Sequence, residues 1–175
     1  CPAVVITQHM PPLFTKLLAQ RLDASTPLRV REAAEGDLLE PGLALIAPGD
    51  WHMTFRKEGT KVRVQLDQKP PENSCRPAVD PMFTSIAAIY GARTVAAVLT
   101  GMGQDGMRGS ELIAAAGGYV VAQDEPTSVV WGMPGAVVRA GVASNVLPLP
   151  LIARDLVSHV SKSFGATLES PHADP

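Results

Sequence analysis

The runs Val4-Val5-Ile6, Leu43 to Ala47, Thr94 to Leu99 and Tyr119 to Ala122 are short, continuous and largely apolar, with β-branched residues in each. A strand with one wet face alternates apolar and polar side chains, so runs without alternation belong to strands covered on both faces, the kind that build parallel sheets. Parallel neighbours need crossover connections, and helical patterns fill the spaces between these runs. Leu13, Phe14, Leu17, Leu18 and Leu22 recur at helical spacing after Pro11-Pro12, where a proline suits the first turn. Phe83, Ile86, Ala87 and Tyr90 do the same, with Asp80 expected to cap, Pro81 to start and Gly91 to end that helix. Leu112, Ile113 and Ala116 form a further helical pattern closed by Gly117-Gly118. Arg29 to Ala33 is a weaker strand, Pro134 to Ala140 a short helix and Asn145 to Leu147 a short strand. Leu149, Ile152, Leu156, Val157, Val160 and Phe164 mark a last amphipathic helix. One segment changes period: Trp51, Met53 and Phe55, then Val62, Val64 and Leu66, alternate with polar residues about Lys57-Glu58-Gly59-Thr60. That is an antiparallel hairpin with one apolar face. The expected class is α/β, a doubly wound, mostly parallel sheet with helices on both faces and an inserted antiparallel β-hairpin.

A chain of 175 residues suits one domain, expected over residues 1–164, with 165–175 as a disordered tail. The balance of 15 Lys plus Arg against 17 Asp plus Glu, without a run of like charges, lacks the footprint of a nucleic-acid or anionic-membrane binder. No apolar stretch approaches the roughly 20 residues that a bilayer demands, and no signal peptide opens the chain. Cys1 and Cys75 make neither a disulfide framework nor a metal-type pair, which suits a reducing cytoplasm. Cys1 stands where a Met would open a chain and leads at once into an interior-type strand, so the N-terminus reads as cut.

In an open parallel sheet, ligands and reacting groups gather beyond the carboxyl ends of the strands. His9 follows the first run, and the loop Gly101-Met102-Gly103-Gln104-Asp105-Gly106 follows the run ending at Leu99, so both belong on one edge. A histidine beside an aspartate is two thirds of a charge-relay arrangement: the carboxylate fixes the tautomer while the other ring nitrogen takes a proton from a hydroxyl or thiol. The same loop has Gly-x-Gly-x-x-Gly spacing, with Gln123-Asp124 near the position of a ribose-binding acid, so a dinucleotide site is the rival reading. Against it, Asp105 puts a carboxylate where pyrophosphate has to approach. His52, with His9 and Asp105, matches no standard metal-ligand spacing and reads as a hairpin residue hydrogen-bonded to a loop; no metal and no cofactor is expected. His159 and His172 read as solvated surface residues. Met10, Met102 and Met133 lie in loops near the proposed edge, as a site wall or as core filling.

Thr7-Gln8-His9-Met10-Pro11, Ile46-Ala47-Pro48-Gly49 with His52, Arg76-Pro77-Ala78-Val79-Asp80, Leu99 to Gly106, and Ala122-Gln123-Asp124-Glu125 with Gly132-Met133-Pro134 follow one another in register. Together they resemble the catalytic domain of the chemotaxis protein-glutamate methylesterases, CheB, over about Val4 to Ile152. The resemblance implies hydrolysis of γ-glutamyl methyl esters on the cytoplasmic helices of chemoreceptors, often with deamidation of receptor glutamines, by a metal-free Ser-His-Asp mechanism. It implies His9 as the triad histidine, Asp105 as the triad aspartate and Met102 as a site-lining residue whose backbone amide helps to hold the oxyanion. It also implies methylated receptor helices as partners and a phosphorylatable receiver domain as an upstream regulator.

The serine turn of the family, Gly-x-Ser-Thr-Gly-Gly after the first sheet strand, has no counterpart here. By the resemblance it lies upstream of Cys1 together with the first strand and first helix, so no nucleophile is assigned within the chain and the chain alone is expected to be inactive. Ser25, Ser74, Ser85, Ser110, Ser128 and Ser144 occupy no such turn, and nothing in the sequence places Cys1 or Cys75 beside His9. Cys75 stands where the family commonly has a histidine, and Gln104 where it has an asparagine. The alternative to catalysis is a module that docks on receptor helices or binds a dinucleotide without chemistry.

Overall fold

A computed structural model describes residues 2–164. Strands β1 (Val4–Ile6), β2 (Arg29–Glu32) and β3 (Leu43–Ile46) form a parallel ladder in the order β1-β3-β2, with Val5 opposite Leu45 and Val30 opposite Ala44. Strands β6 (Val95–Val98), β7 (Tyr119–Gln123) and β8 (Asn145–Leu147) form a second parallel ladder in that order. Between them in sequence lies the antiparallel hairpin of β4 (His52–Glu58) and β5 (Lys61–Asp67), with Phe55 opposite Val64. The helices are α1 (Pro12–Ser25), α2 (Val79–Tyr90), α3 (Met107–Ala115), α4 (Met133–Arg139) and α5 (Leu149–Phe164). The expected tail, with Cys1 and His172, lies outside the described residues.

The unbroken apolar run of β3 is explained by two cores. Ala44 and Ile46 pack with Val30 and with Ala19 of α1, whereas Leu43, Leu45 and Ala47 face the larger core of Met53, Phe55, Met82, Phe83, Val98, Ile113, Val120 and Val137. Both faces of the strand are therefore dry, as the absence of alternation requires. The hairpin buries Met53, Phe55, Val62 and Val64 into the larger core and leaves its charged face outside. One feature differs from the expected single sheet. Among the described residues no ladder joins β1 to β6, each of which ends its own sheet with an unpaired edge. Buried-strand composition reports that a strand is covered on both faces, not which strand lies beside it.

Two local expectations are corrected. Asp80 does not cap α2: the cap position is Ala78, without a side-chain hydrogen bond, and Asp80 is the second helical residue. The amides at that end are met instead by the carboxylate of Asp105, which accepts from Val79 N at 2.6 Å and from Asp80 N at 3.0 Å. His159 is not a free surface residue. Helix α5 packs on β7, and the His159 ring stacks on Tyr119 at 3.8 Å while the Tyr119 hydroxyl donates to Asp155 Oδ2 at 3.0 Å.

Helices α2 and α3 approach closely because α3 carries Gly109. A Cβ there would lie 2.3 Å from the Cβ of Phe83, an atom anchored to its own backbone that cannot swing away. Gly109→Ala gains about 1 kcal/mol of helix propensity but forces an overpacking that costs about 1–3 kcal/mol, and at this separation the clash dominates. We expect a net loss of roughly 1–2 kcal/mol in urea unfolding with an unchanged denaturant slope; equal or greater stability would mean that the helices slide apart at no cost.

Candidate active site

The loop that carries His9 is fixed at both ends. Ala47 N donates to Ile6 O at 2.9 Å where β1 ends, and Pro11 and Pro12 open α1. Beside them Pro48-Gly49 approaches so closely that a Cβ on Gly49 would lie 2.3 Å from Pro12 N, so only glycine fits. Gly49 N donates to the buried Thr15 hydroxyl at 3.0 Å, and that hydroxyl donates to Glu32 Oε1 at 2.6 Å, tying α1, β2 and the loop together. On the neighbouring edge, the loop after β6 is held by the fully buried Gln123, whose Oε1 accepts Thr100 N at 2.8 Å and whose Nε2 donates to Thr127 O at 2.7 Å.

These two loops bring His9 and Asp105 together. His9 Nε2 lies 2.7 Å from Asp105 Oδ2, with the aspartate side chain 1% exposed and the imidazole 24% exposed. Besides His9 and the α2 amides, the Asp105 carboxylate accepts from Gly106 N at 3.0 Å and from Asn73 Nδ2 at 3.2 Å. Burial alone pushes this carboxyl up, but the bonds from His9, Val79 and Asp80 together outweigh it and hold Asp105 below its ordinary value. An ionised carboxylate requires the proton of a neutral His9 on Nε2, which leaves Nδ1 as the basic nitrogen, with no hydrogen-bond partner among the described residues.

Asp80 is the second buried acid at the site. Its Oδ1 accepts Gly109 N at 2.8 Å and its Oδ2 accepts Asn73 Nδ2 at 3.0 Å. Burial, then the charge of Asp105, pushes Asp80 up against the bonds that would lower it. Asn73 has φ 49, in the left-handed region where asparagine is common.

An open cleft of about 430 Å³ adjoins His9, lined by Met10, Pro11, Asp50, Ser74, Cys75 and Arg76, with Pro12. Arg76 braces its wall, donating through Nε and Nη2 to Asp50 Oδ1 at 3.0 and 2.6 Å and through Nη1 to the carbonyls of Gln68 and Lys69 at 3.0 Å each. Cys75 shares the cleft, but burial and the charge of Asp105 push its thiol up, the reverse of an activated nucleophile. Met102 stands on the loop before Asp105, 83% exposed, and it does not line this cleft. Met10 lines the cleft, and Met133 is buried in the larger core.

Sequence reasoning missed Asn73 and the second role of Asp80. His52 is buried away from His9, donating from Nε2 to Pro70 O at 3.2 Å while Nδ1 accepts Ala78 N at 3.3 Å. Among the described residues no cluster of His, Cys, Asp or Glu is placed to hold a metal ion. The dinucleotide alternative does not fit: first-turn amides that would cradle a phosphate are already met, Gly109 N by Asp80 and Gly106 N by Asp105.

An α/β domain whose parallel-strand loops bring together a histidine and a buried, ionised carboxylate is built for acid–base chemistry, with one ring nitrogen left to accept a proton. Comparison with known proteins gives the family. The CheB methylesterase family model matches residues 1–156, and the chain belongs to that family. It is 55% identical over 150 residues to protein-glutamate methylesterase/protein-glutamine glutaminase 1 of Paramagnetospirillum magneticum, covering 86% of this chain and 39% of that one. It is 48% identical over 157 residues to a protein of the same name, without the numeral, from Trichodesmium erythraeum, covering 90% of this chain and 45% of that one. The crystal structure of the Thermotoga maritima CheB methylesterase catalytic domain superposes with a TM-score of 0.88 at 44% identity, covering 91% of this chain and 85% of that one. The chain thus spans less than half the length of these curated relatives.

Because its folded value is lowered, Asp105 contributes stability that is complete above its ordinary value of 3.8 and is lost as pH falls through the lowered value. Asp105→Asn leaves donors facing an amide. We expect it to cost on the order of 3 kcal/mol at neutral pH, with the gap to the parent narrowing below about pH 4. Chemical unfolding of both proteins across this range checks it, and a gap that does not narrow would mean that Asp105 is not held as an anion.

Proposed function

We propose that the chain supplies the acid–base half of a protein-glutamate methylesterase that hydrolyses γ-glutamyl methyl esters on the cytoplasmic helices of chemoreceptors. The observation that carries this reading is the 2.7 Å bond from His9 Nε2 to the buried Asp105, which leaves Nδ1 free beside the cleft. The printed names of the relatives support the substrate class, protein glutamate methyl esters, and a second activity on protein glutamine.

In the proposed reaction a serine hydroxyl from outside residues 1–175 attacks the ester carbonyl and His9 Nδ1 takes its proton. The carbonyl carbon becomes tetrahedral, and the Met102 backbone amide helps to hold its oxyanion. As the intermediate collapses, the C–O bond to the methoxy group breaks and His9 returns the proton to the leaving methanol. Water then attacks the acyl-enzyme and loses a proton to His9; as this second intermediate collapses, the C–O bond to the serine breaks, His9 returns the proton to the serine oxygen, and glutamate is freed. Asp105 keeps the proton of neutral His9 on Nε2 and stabilises the imidazolium formed at each transfer. A glutamine side chain enters the same path with ammonia as the leaving group.

The serine is assigned outside these residues because, among those described, no Ser, Thr or Cys side chain hydrogen-bonds His9. A first strand and helix that carry it also suit the unpaired edges of β1 and β6. The remaining parts of the reading are a receiver domain as regulator, a cytoplasmic location and receptor helices as partners. The described helices include none long and apolar enough to cross a membrane.

Methanol release from methyl-esterified receptor tests the proposal, measured on a chain that also carries sequence N-terminal to Cys1, on its His9→Ala variant and on residues 1–175 alone. We expect release by the longer chain, a fall of about 10⁴-fold or more in the variant, and little or none from residues 1–175. A folded longer chain that binds receptor without releasing methanol would favour docking without chemistry, and release from residues 1–175 that His9→Ala abolishes would place a nucleophile within them.

A further inference from the structure

Two buried carboxylates lie side by side at the start of α2, and the proposed reaction uses only one. Asp105 is 1% and Asp80 4% exposed, and each is the partner of amides that nothing else satisfies: Val79, Asp80 and Gly106 for the first, Gly109 for the second. Two anions in one dry site repel, and the usual outcome is that one of them takes a proton. Here the amide group of Asn73 stands between them, with Nδ2 at 3.0 Å from Asp80 Oδ2 and 3.2 Å from Asp105 Oδ1. One nitrogen with its two hydrogens serves both acids, a part that neither a hydroxyl nor an acceptor can play.

We propose that Asn73 is a positioning residue of the His9–Asp105 pair, its amide bridging Asp80 and Asp105 so that Asp105 Oδ2 faces His9 Nε2 as a full anion. The inference rests on the reading of His9 and Asp105 as an acid–base pair. Asn73 touches no reacting atom and acts through Asp105. The titratable groups that face Asp105 are His9 from the β1–α1 loop, Asp80 from α2 and Cys75 from the loop before α2. Without the Asn73 amide the two acids lose the side-chain donor that bonds both. A proton taken up by Asp105 to relieve their repulsion then withdraws negative charge from His9, and the imidazolium loses support.

The test follows the His9 imidazole by NMR titration of residues 1–175, which needs no substrate. Asn73→Gly deletes the amide and keeps a residue at ease at φ 49, so the loop is not strained by the change. We expect its His9 midpoint to fall by about one unit, and the Nε2 proton signal to weaken. Asp105→Asn serves as the reference and is expected to lower the midpoint at least as far. In Asn73→Gly with Asp80→Asn the competing acid is gone, so the midpoint is expected to return towards that of the parent. A purely structural asparagine would lower thermal stability and leave the midpoint in place. If Asp105→Asn moves the midpoint and Asn73→Gly does not, or if the double variant brings no recovery, the role of Asn73 is overturned while the pair stands. If Asp105→Asn itself leaves His9 unmoved, the pair fails and the role of Asn73 falls with it. Should Asn73→Gly not fold, Asn73→Asp replaces the donor by an acceptor at the same backbone geometry, and an unmoved midpoint there overturns the proposal equally.

Discussion

A carboxylate removed from water has to recover its hydrogen bonds from the protein, and Asp105 does so from segments far apart in the chain. His9 comes from the loop after β1, Asn73 from the loop before α2, Val79 and Asp80 from the first turn of α2, and Gly106 from the start of α3. Each donor is a group with its own need. The first amides of a helix have no partner within it, and the positive end of the helix favours an anion. Asp105 therefore caps α2 from another loop while it orients His9. The same atoms secure the docking of α2, which carries Met82, Phe83 and Ile86 into the larger core, and the geometry of the acid–base pair. Stability and chemistry are not separable at this residue, and damage to either is felt in the other.

That coupling explains which parts of the site can be read from sequence. His9 and Asp105 are legible because each follows a continuous apolar run, and parallel strands present their carboxyl-end loops on one edge. Asp80 misleads for the opposite reason. A local rule for caps assumes that the oxygen comes from the adjoining residue, and here it comes from Asp105, which leaves Asp80 free to reach Gly109 on α3. The preference of Asn73 for a left-handed turn is visible in its residue type, but its partners depend on how three loops meet. The division into two ladders is equally out of reach, because the apolar composition of β1 and β6 says nothing about their neighbours. His159 shows the same limit: its place on the helix is clear, but its stacking on Tyr119 depends on how α5 docks on β7.

The cleft is shaped by residues that bind one another rather than by free functional groups. Arg76 reaches Asp50 and the carbonyls of Gln68 and Lys69, so its charge is largely spent on fixing the wall. Such a wall gives the cleft a defined shape beside His9 without a mobile cation to compete for the Asp105 carboxylate. Cys75 stands in the same wall with its thiol pushed up by burial and by the charge of Asp105, the reverse of what activates a nucleophilic cysteine.

The two histidines near this end of the fold show what makes an imidazole available for chemistry. His52 is almost fully buried, and both of its nitrogens are engaged, Nδ1 accepting from Ala78 N and Nε2 donating to Pro70 O. The accepting nitrogen carries no proton and the donating one has no lone pair to offer, so His52 is a brace between the hairpin and the start of α2. His9 also has one nitrogen committed, but its partner is a carboxylate, and the other has no partner among the described residues where His9 lines the open cleft. A committed donor and a spare acceptor on one ring is the condition for moving a proton back and forth. Burial, nearness to glycine turns and position at a strand end are shared by both residues in some measure. The unused nitrogen of His9 separates them: Asp105 engages one ring nitrogen, and no described residue engages the other.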